Sequence, residues 1–295
     1  MYEQIAANKR RSVLLIAAIL LVAGLLGYVF SVASQSGAPI VAIALALAIF
    51  TTTASWWAGD KVVLFTASAH PINKNDDPEL YRIVENTAIA AGLPTPKIYL
   101  MSDASMNAFA TGRDPQHASI AVTTGLRQAL SKTELEGVIA HELSHVKNFD
   151  TRYLMLTVVL VGFVALVSDF FIRSQFFHGG GRRERGSALL LIGVLLAILA
   201  PIATKLIQLA VSRRREFLAD ASGALLTRYP QGLADALKKI AVASPVSKTA
   251  NKATASLYFT NPFGQAGRRT VASLFSTHPP ITDRIAALEN MTTSL

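Results

Sequence analysis

Two long apolar stretches near the N-terminus constrain this chain more than any other feature. Residues Ser12 to Phe30 follow Lys9, Arg10 and Arg11 with almost no polar interruption, and Pro39 to Ala58 form a second run ending in Trp56 and Trp57. At about 1.5 Å per residue, either run makes a helix long enough to cross the roughly 30 Å of bilayer hydrocarbon. The tryptophans stand where interfacial aromatic side chains belong. Composition agrees, because 51% of the residues are hydrophobic and only 16% are charged, outside the balance of an ordinary soluble domain. A cleavable leader is the alternative for the first run, since its start is basic and Val32-Ala33-Ser34 resembles a cleavage site. The length of the run, and a second span directly after it, favour two membrane helices.

Leu154 to Ile172 and Ala188 to Val211 form a second apolar pair, interrupted by Asp169, Pro201 and Lys205. Lys205 lies near an end, where its stem can lie along apolar surface with its charge in water. A neighbouring helix can satisfy the carbonyl freed by Pro201. Two buried helices of a soluble core are the alternative. The expected organisation is thus a hairpin over 1–58, a polar segment 59–153, a second hairpin over 154–211 and a polar segment 212–295.

The net charge of +9 could indicate nucleic acid, but the Lys and Arg residues cluster beside apolar runs, as anchors to a lipid bilayer do. Nucleic acid is therefore not expected as a partner. With the N-terminus inside and four crossings, Lys9, Arg10, Arg11, Lys61, Arg152 and Arg213 to Arg215 share the cytoplasmic side, and the uncharged loop Ser31 to Ala38 faces out. Arg173, Arg182, Arg183 and Arg185 oppose this pattern, which leaves open whether the second hairpin crosses fully.

The polar halves must form the working domain. Asp77 to Ala91 has helical spacing, with Pro78 at its start and Gly92 just past its end. Lys97 to Met101, Asn107 to Thr111 and Ala118 to Thr123 read as a small antiparallel sheet. Ser131 and Glu134 make a capping box for a helix running to about Asn148. Helical patterns recur at Ser212 to Tyr229, after Pro230 and from Ile281.

The chemistry lies on the Ser131 helix. Cysteine is absent and there are six histidines, so a transition metal must be held by imidazole and carboxylate. His141-Glu142-Leu143-Ser144-His145 is an H-E-x-x-H motif. Residues i and i+4 share a helix face, so both imidazoles can bind one cation with Glu142 within reach of a water beside it. A catalytic site needs a third ligand. Asp150, five residues past His145, points away from the histidine face and is a poor candidate. Glu216 is the better choice, because Asp220 one turn later can accept the N–H of a ligating imidazole. His145 and Glu216 lie close to the ends of the second apolar pair, which returns them to one side. His70, His117 and His178 stand alone and read as structural or surface residues.

In these residues the chain resembles the HtpX group of membrane zinc peptidases, relatives of the CAAX prenyl endopeptidases among the gluzincins. The likeness rests on the N-terminal hairpin, Ser105 to Gly112, the helix motif through Asn148 and Asp150, the Glu216 to Asp220 spacing, and Ser276-Thr277-His278-Pro279-Pro280 before Arg284. It implies a mostly α membrane protein with four transmembrane helices in two hairpins and a cytosolic α+β, zincin-like domain carrying a small sheet. It further implies one Zn2+ per chain held by His141, His145 and Glu216, in an ATP-independent endopeptidase of the bacterial cytoplasmic membrane. Its substrates would be misfolded or damaged membrane proteins, cleaved on the cytoplasmic side under stress. Glu142 is expected as general base, with Asp220 behind a ligand. His278 is expected to stabilise the oxyanion, with Arg284 as a lesser contact to substrate. Asn107, Ala108, Phe109 and Ala110 read as an exposed edge strand for a substrate backbone. The competing readings are an intramembrane metalloprotease, disfavoured by the charges around His141, and a zinc-binding scaffold or transporter, which leaves Glu142 without a task. Oligomeric state and substrate specificity are not legible.

Overall fold

The computed structural model describes residues 2–34, 38–158, 213–243, 245–247, 257–260, 262 and 279–292. The first two apolar runs are α1 (Tyr2–Ser34) and α2 (Ala38–Thr66), packed as a hairpin. Both are long and apolar enough to cross a membrane, over Ile5–Val29 and Val41–Thr66. Only 33% and 11% of their most apolar windows are buried within the protein, whereas a soluble core helix would be mostly covered. Val13, Leu21, Ile43 and Phe50 point outward, a surface suited to lipid rather than water.

α2 runs past residue 58, and its last turns belong to the polar domain. Val63, Leu64 and Ala67 share a buried cluster with Met101, Phe109 and Ala121 of the sheet. The expected hairpin over 154–211 lies outside the described residues except for its first turn. Residues 150–158 are helical, and Tyr153 and Leu156 join Leu15 and Ile19 of α1 in one apolar cluster.

The sheet holds β1 (Ala69–Pro71), β2 (Lys97–Met101), β3 (Ala108–Thr111) and β4 (Ser119–Thr123) in the order β1-β2-β4-β3. It is mixed, not antiparallel as expected: β4 lies between β2 and β3 and runs parallel to β2, with Ile98 opposite Ile120. The other two pairings are antiparallel. β1 escapes a pattern search because it is three residues long and ends in Pro71, a residue confined to sheet margins by its missing N–H.

α3 (Pro78–Ala91) begins and ends where its punctuation predicts. Asp77 accepts the Leu80 N–H at 3.0 Å, and Gly92 closes the helix at φ 69°. A short α4 (Thr124–Ala129) follows β4, with the Thr123 hydroxyl accepting the Leu126 N–H at 3.2 Å. Next comes α5 (Lys132–Lys147), whose capping box is formed, with the Glu134 carboxylate accepting the Ser131 N–H at 2.6 Å. Among the described residues, the helices that follow residue 158 are α6 (Arg213–Thr227), α7 (Pro230–Ala243) and α8 (Ile281–Thr292).

α5 is the axis of the domain. Leu135, Val138 and Ile139 pack into one core with Leu80 and Ile83 of α3, Ile120 of the sheet, and Leu233 and Leu237 of α7. Each such side chain contributes about 1.5–3 kcal/mol on leaving water, so the helix carrying the histidines is anchored on several sides. Two glycines permit that depth. A Cβ on Gly137 would lie 2.8 Å from the Leu233 nitrogen, and one on Gly223 of α6 would lie 3.0 Å from the His141 nitrogen.

Candidate metal centre

Close approach at Gly223 places one face of α6 against the histidine face of α5. Glu216, Asp220 and Gly223 fall at helical spacing along that face, so the contact that needs glycine also aims both acids inward. Gly223→Val is expected to push α6 outward and to destabilise the fold by about 1–3 kcal/mol, as overpacking does. Denaturant unfolding and metal titration of the same variant check this, because the displaced helix carries Glu216.

His141, His145 and Glu216 each offer a ligand atom within 4.8 Å of the others. The two Nε2 atoms are 3.1 Å apart, and the Glu216 carboxylate stands 3.8 Å from His141 Nε2 and 3.6 Å from His145 Nε2. Two imidazole nitrogens and a carboxylate at these distances need positive charge between them, since facing lone pairs repel. Burial works against protonation of His145, but the Asp150 hydrogen bond and the Glu216 charge outweigh it and lift its pKa to about 9. Burial holds His141 down at about 4 despite Asp220. The donor set, borderline-soft nitrogen plus oxygen with no thiolate, fits zinc.

Each imidazole is oriented from behind by a carboxylate. His141 Nδ1 lies 2.8 Å from Asp220 Oδ1, and His145 Nδ1 lies 3.0 Å from Asp150 Oδ2. Such contacts direct the Nε2 lone pairs toward the centre. The Asp150 arrangement corrects the expectation that this side chain points away. α5 stops at Lys147, the chain reverses at Phe149 with φ 60°, and the acid returns to the histidine it follows.

Glu142, 3% exposed, is not one of the three converging ligands. Its Oε2 accepts the Ala110 N–H at 2.8 Å, which fixes the carboxylate and leaves Oε1 for another partner. Burial raises its pKa to about 7, with Glu216 adding to the effect and His145, Ala110 and Arg284 opposing it. A carboxylate in that range is suited to taking and returning a proton near neutral pH.

Arg284, expected at a substrate contact, is instead 1% exposed and sits behind the histidines. Its guanidinium donates to both oxygens of Asp220, at 2.8 and 2.7 Å, and covers the Phe259 ring at 4.6 Å. Burial raises the Asp220 pKa, but the Arg284 charge and His141 overcome this and hold it at about 2. Arg284→Met leaves the buried Asp220 carboxylate with only its His141 contact and no cationic partner, for an expected loss of about 3–5 kcal/mol in thermal or denaturant unfolding. Lys at this position should recover little, because it cannot form the paired hydrogen bonds.

β3 does lie at a sheet edge, but that edge is not exposed. Asn107, Ala108, Phe109 and Ala110 are all buried. The Ala108 carbonyl accepts the Phe259 N–H at 2.8 Å, and the Asn107 side chain bonds both the carbonyl and the N–H of Thr260. Residues 258–260 of the chain itself thus occupy the position expected for a substrate backbone, and Phe259 also meets the His141 ring edge-on at 4.9 Å. Ala110, Glu142, Tyr258 and Phe259 line the narrow cavity at the histidines. A larger cleft of about 560 Å³ at Asp103, Met106 and Gln128 contains none of the candidate site residues. His278 and His178 lie outside the described residues, and His117 pairs with Asp114 at 2.7 Å.

Sequence reasoning missed Asp150 and Phe259 as neighbours of the ligands. The stop at Asn148 was the available signal for the first, and none existed for the second.

A two-histidine helix facing an acid on a second helix beside a small sheet has the form of a metallopeptidase site. Residues 74–292 match the model of Peptidase family M48, and the chain belongs to that family of metalloendopeptidases. It is 43% identical to a "Protease HtpX homolog" of Caldanaerobacter subterraneus, over 99% of this chain and 98% of the relative. It is 42% identical to the protein of that description in Dictyoglomus turgidum, over 98% and 94%, and 42% to that of Lactobacillus acidophilus, over 99% and 100%. The fold is shared with the crystal structure of S. mikatae Ste24p, with a TM-score of 0.51 at 19% identity, covering 98% of this chain and 67% of that one.

Proposed function

We propose that the chain is a zinc-dependent endopeptidase of the bacterial cytoplasmic membrane that cleaves misfolded or damaged membrane proteins on the cytoplasmic side, in quality control under stress. The observation that carries this reading is the convergence of His141, His145 and Glu216 beside a buried carboxylate, Glu142, that is not spent on the same centre. The basic start of α1 supports the cytoplasmic orientation, because Asn8 bonds the turn after the histidine helix and so lies on the side of the site.

His141 and His145 through Nε2, and Glu216 through its carboxylate, would hold one zinc ion. When bound, zinc supplies a Lewis acid that polarises the substrate carbonyl and lowers the pKa of a water from about 16 toward 7. Glu142 would take a proton from the attacking water as that water's oxygen adds to the scissile carbonyl carbon. The same carboxyl then gives the proton to the amine nitrogen as the C–N bond breaks. Ala110 holds Glu142 in place for both transfers. His278 is the proposed oxyanion donor from the chain, supported by the Ser276 to Pro280 resemblance. The proposed substrate path runs past Ala110, so residues 258–260 must yield the β3 edge before a peptide can pair there.

The test uses full-length protein purified in detergent with casein and an unfolded membrane protein as substrates. Cleavage is expected to stop with a chelator and to return with added zinc. Turnover indifferent to the chelator would reject the zinc mechanism, and metal binding without any cleavage would favour a scaffold or transporter. Cuts confined to membrane-embedded segments would instead favour an intramembrane protease.

A further inference from the structure

The turn that returns Asp150 to His145 is not stabilised by α5 alone. Phe149, at its centre, holds φ 60°, a left-handed conformation that is strained for a bulky side chain. Two cations flank its ring: the Lys9 ammonium and the Arg152 guanidinium, each 4.6 Å from the centroid. On either side of Phe149, one side chain bonds both neighbours. The Asn8 amide donates to the Asn148 carbonyl at 2.9 Å and to Asp150 Oδ1 at 2.7 Å. Asn8 is 1% exposed and belongs to α1, at the start of the first candidate span.

The chemistry of this bridge is directional. A primary amide carries two N–H donors in one plane, so bonding both a backbone carbonyl and a carboxylate oxygen fixes the separation and rotation of the two acceptors. With Oδ1 held by Asn8, Asp150 presents Oδ2 to His145 Nδ1. Arg215 stands 3.7 Å from the same Oδ1, close enough to supply charge but too far for the orienting hydrogen bond. The shell behind one ligating histidine therefore begins on a helix 142 residues away from Asp150 in sequence.

We infer that Asn8 is a positioning residue of the metal centre, acting through Asp150 on His145, so that the centre is fully ordered only when the first membrane helix is docked against the catalytic domain. This inference rests on the reading of His141, His145 and Glu216 as a zinc site.

The experiment uses the full chain in detergent or nanodiscs, with zinc affinity measured by chelator competition and the ligand field read from the visible spectrum of the cobalt form. The Asn8→Ala, Asp150→Asn and double variants are compared with the parent. Asn8→Ala is expected to weaken zinc affinity by about tenfold, at the low end for outer partners of a ligand, and to shift the cobalt bands. Thermal unfolding of its metal-free form should fall by a few degrees at most, from the two lost hydrogen bonds, and by less than that of its zinc-loaded form. The double variant should lose no more affinity than Asp150→Asn alone, and Arg10→Ala, which removes a neighbouring charge, should match the parent. Affinity and spectrum of Asn8→Ala equal to the parent's would overturn the inference, as would additive losses in the double variant or a loss matched by metal-free destabilisation. Should Asn8→Ala not accumulate, Asn8→Ser is read in the same way, because one hydroxyl cannot span both acceptors. Absence of metal binding by the parent itself would instead defeat the zinc-site reading.

Discussion

Glu142→Gln is expected to keep its metal and to lose roughly 10²–10⁴-fold in turnover. Glutamine preserves the shape of the side chain and can still accept the Ala110 N–H that Glu142 accepts at 2.8 Å. What it lacks is a basic oxygen, so it can neither take a proton from water nor return one to the leaving amine. Because the wild-type carboxylate is buried, its neutral isostere should leave stability unchanged or raised. The pattern therefore separates a chemical role from a structural one: zinc per chain and the unfolding midpoint hold while kcat collapses. Retained turnover would place the base elsewhere.

Glu216→Gln should have the opposite signature, with the metal lost first. Removing a partner behind a ligand costs roughly 10–100-fold in affinity, and neutralising a ligand itself should exceed that. The deficit is deepened by Arg284, whose Nη1 lies 3.9 Å from Glu216 Oε2 and would face the incoming cation with less negative charge between them. Zinc competition against a chelator measures the loss, and excess zinc should restore part of the turnover in this variant but none in Glu142→Gln. Full occupancy at stoichiometric zinc after neutralising Glu216 would show that the third ligand lies elsewhere.

These two expectations start from features that were legible in the sequence because their geometry is local. H-E-x-x-H puts two imidazoles on one face of any helix, and the Ser131–Glu134 box marks where that helix begins. Glu216 and Asp220 are likewise one turn apart. α3 was legible for the same reason, since Asp77 and Gly92 punctuate it within the segment itself.

The parallel pairing of β2 with β4 was not legible, because strand direction depends on which strands become neighbours, and the alternation within each strand is the same either way. The filled β3 edge depends on Phe259, which reaches Ala108 from the far side of α6 and α7 in the chain. Arg284 could be noticed from a motif, but its burial against Asp220 depends on the packing of α8.

By itself the sequence determined the class of chemistry, the helices that carry it and two apolar helices long enough for a bilayer, because each follows from residue type at short spacing. Only the tertiary structure decided which acid stands behind which histidine. Asp150 reaches His145 through a left-handed Phe149 that α1 clamps with Asn8 and Lys9, and no local propensity encodes a bond between residues so distant in the chain.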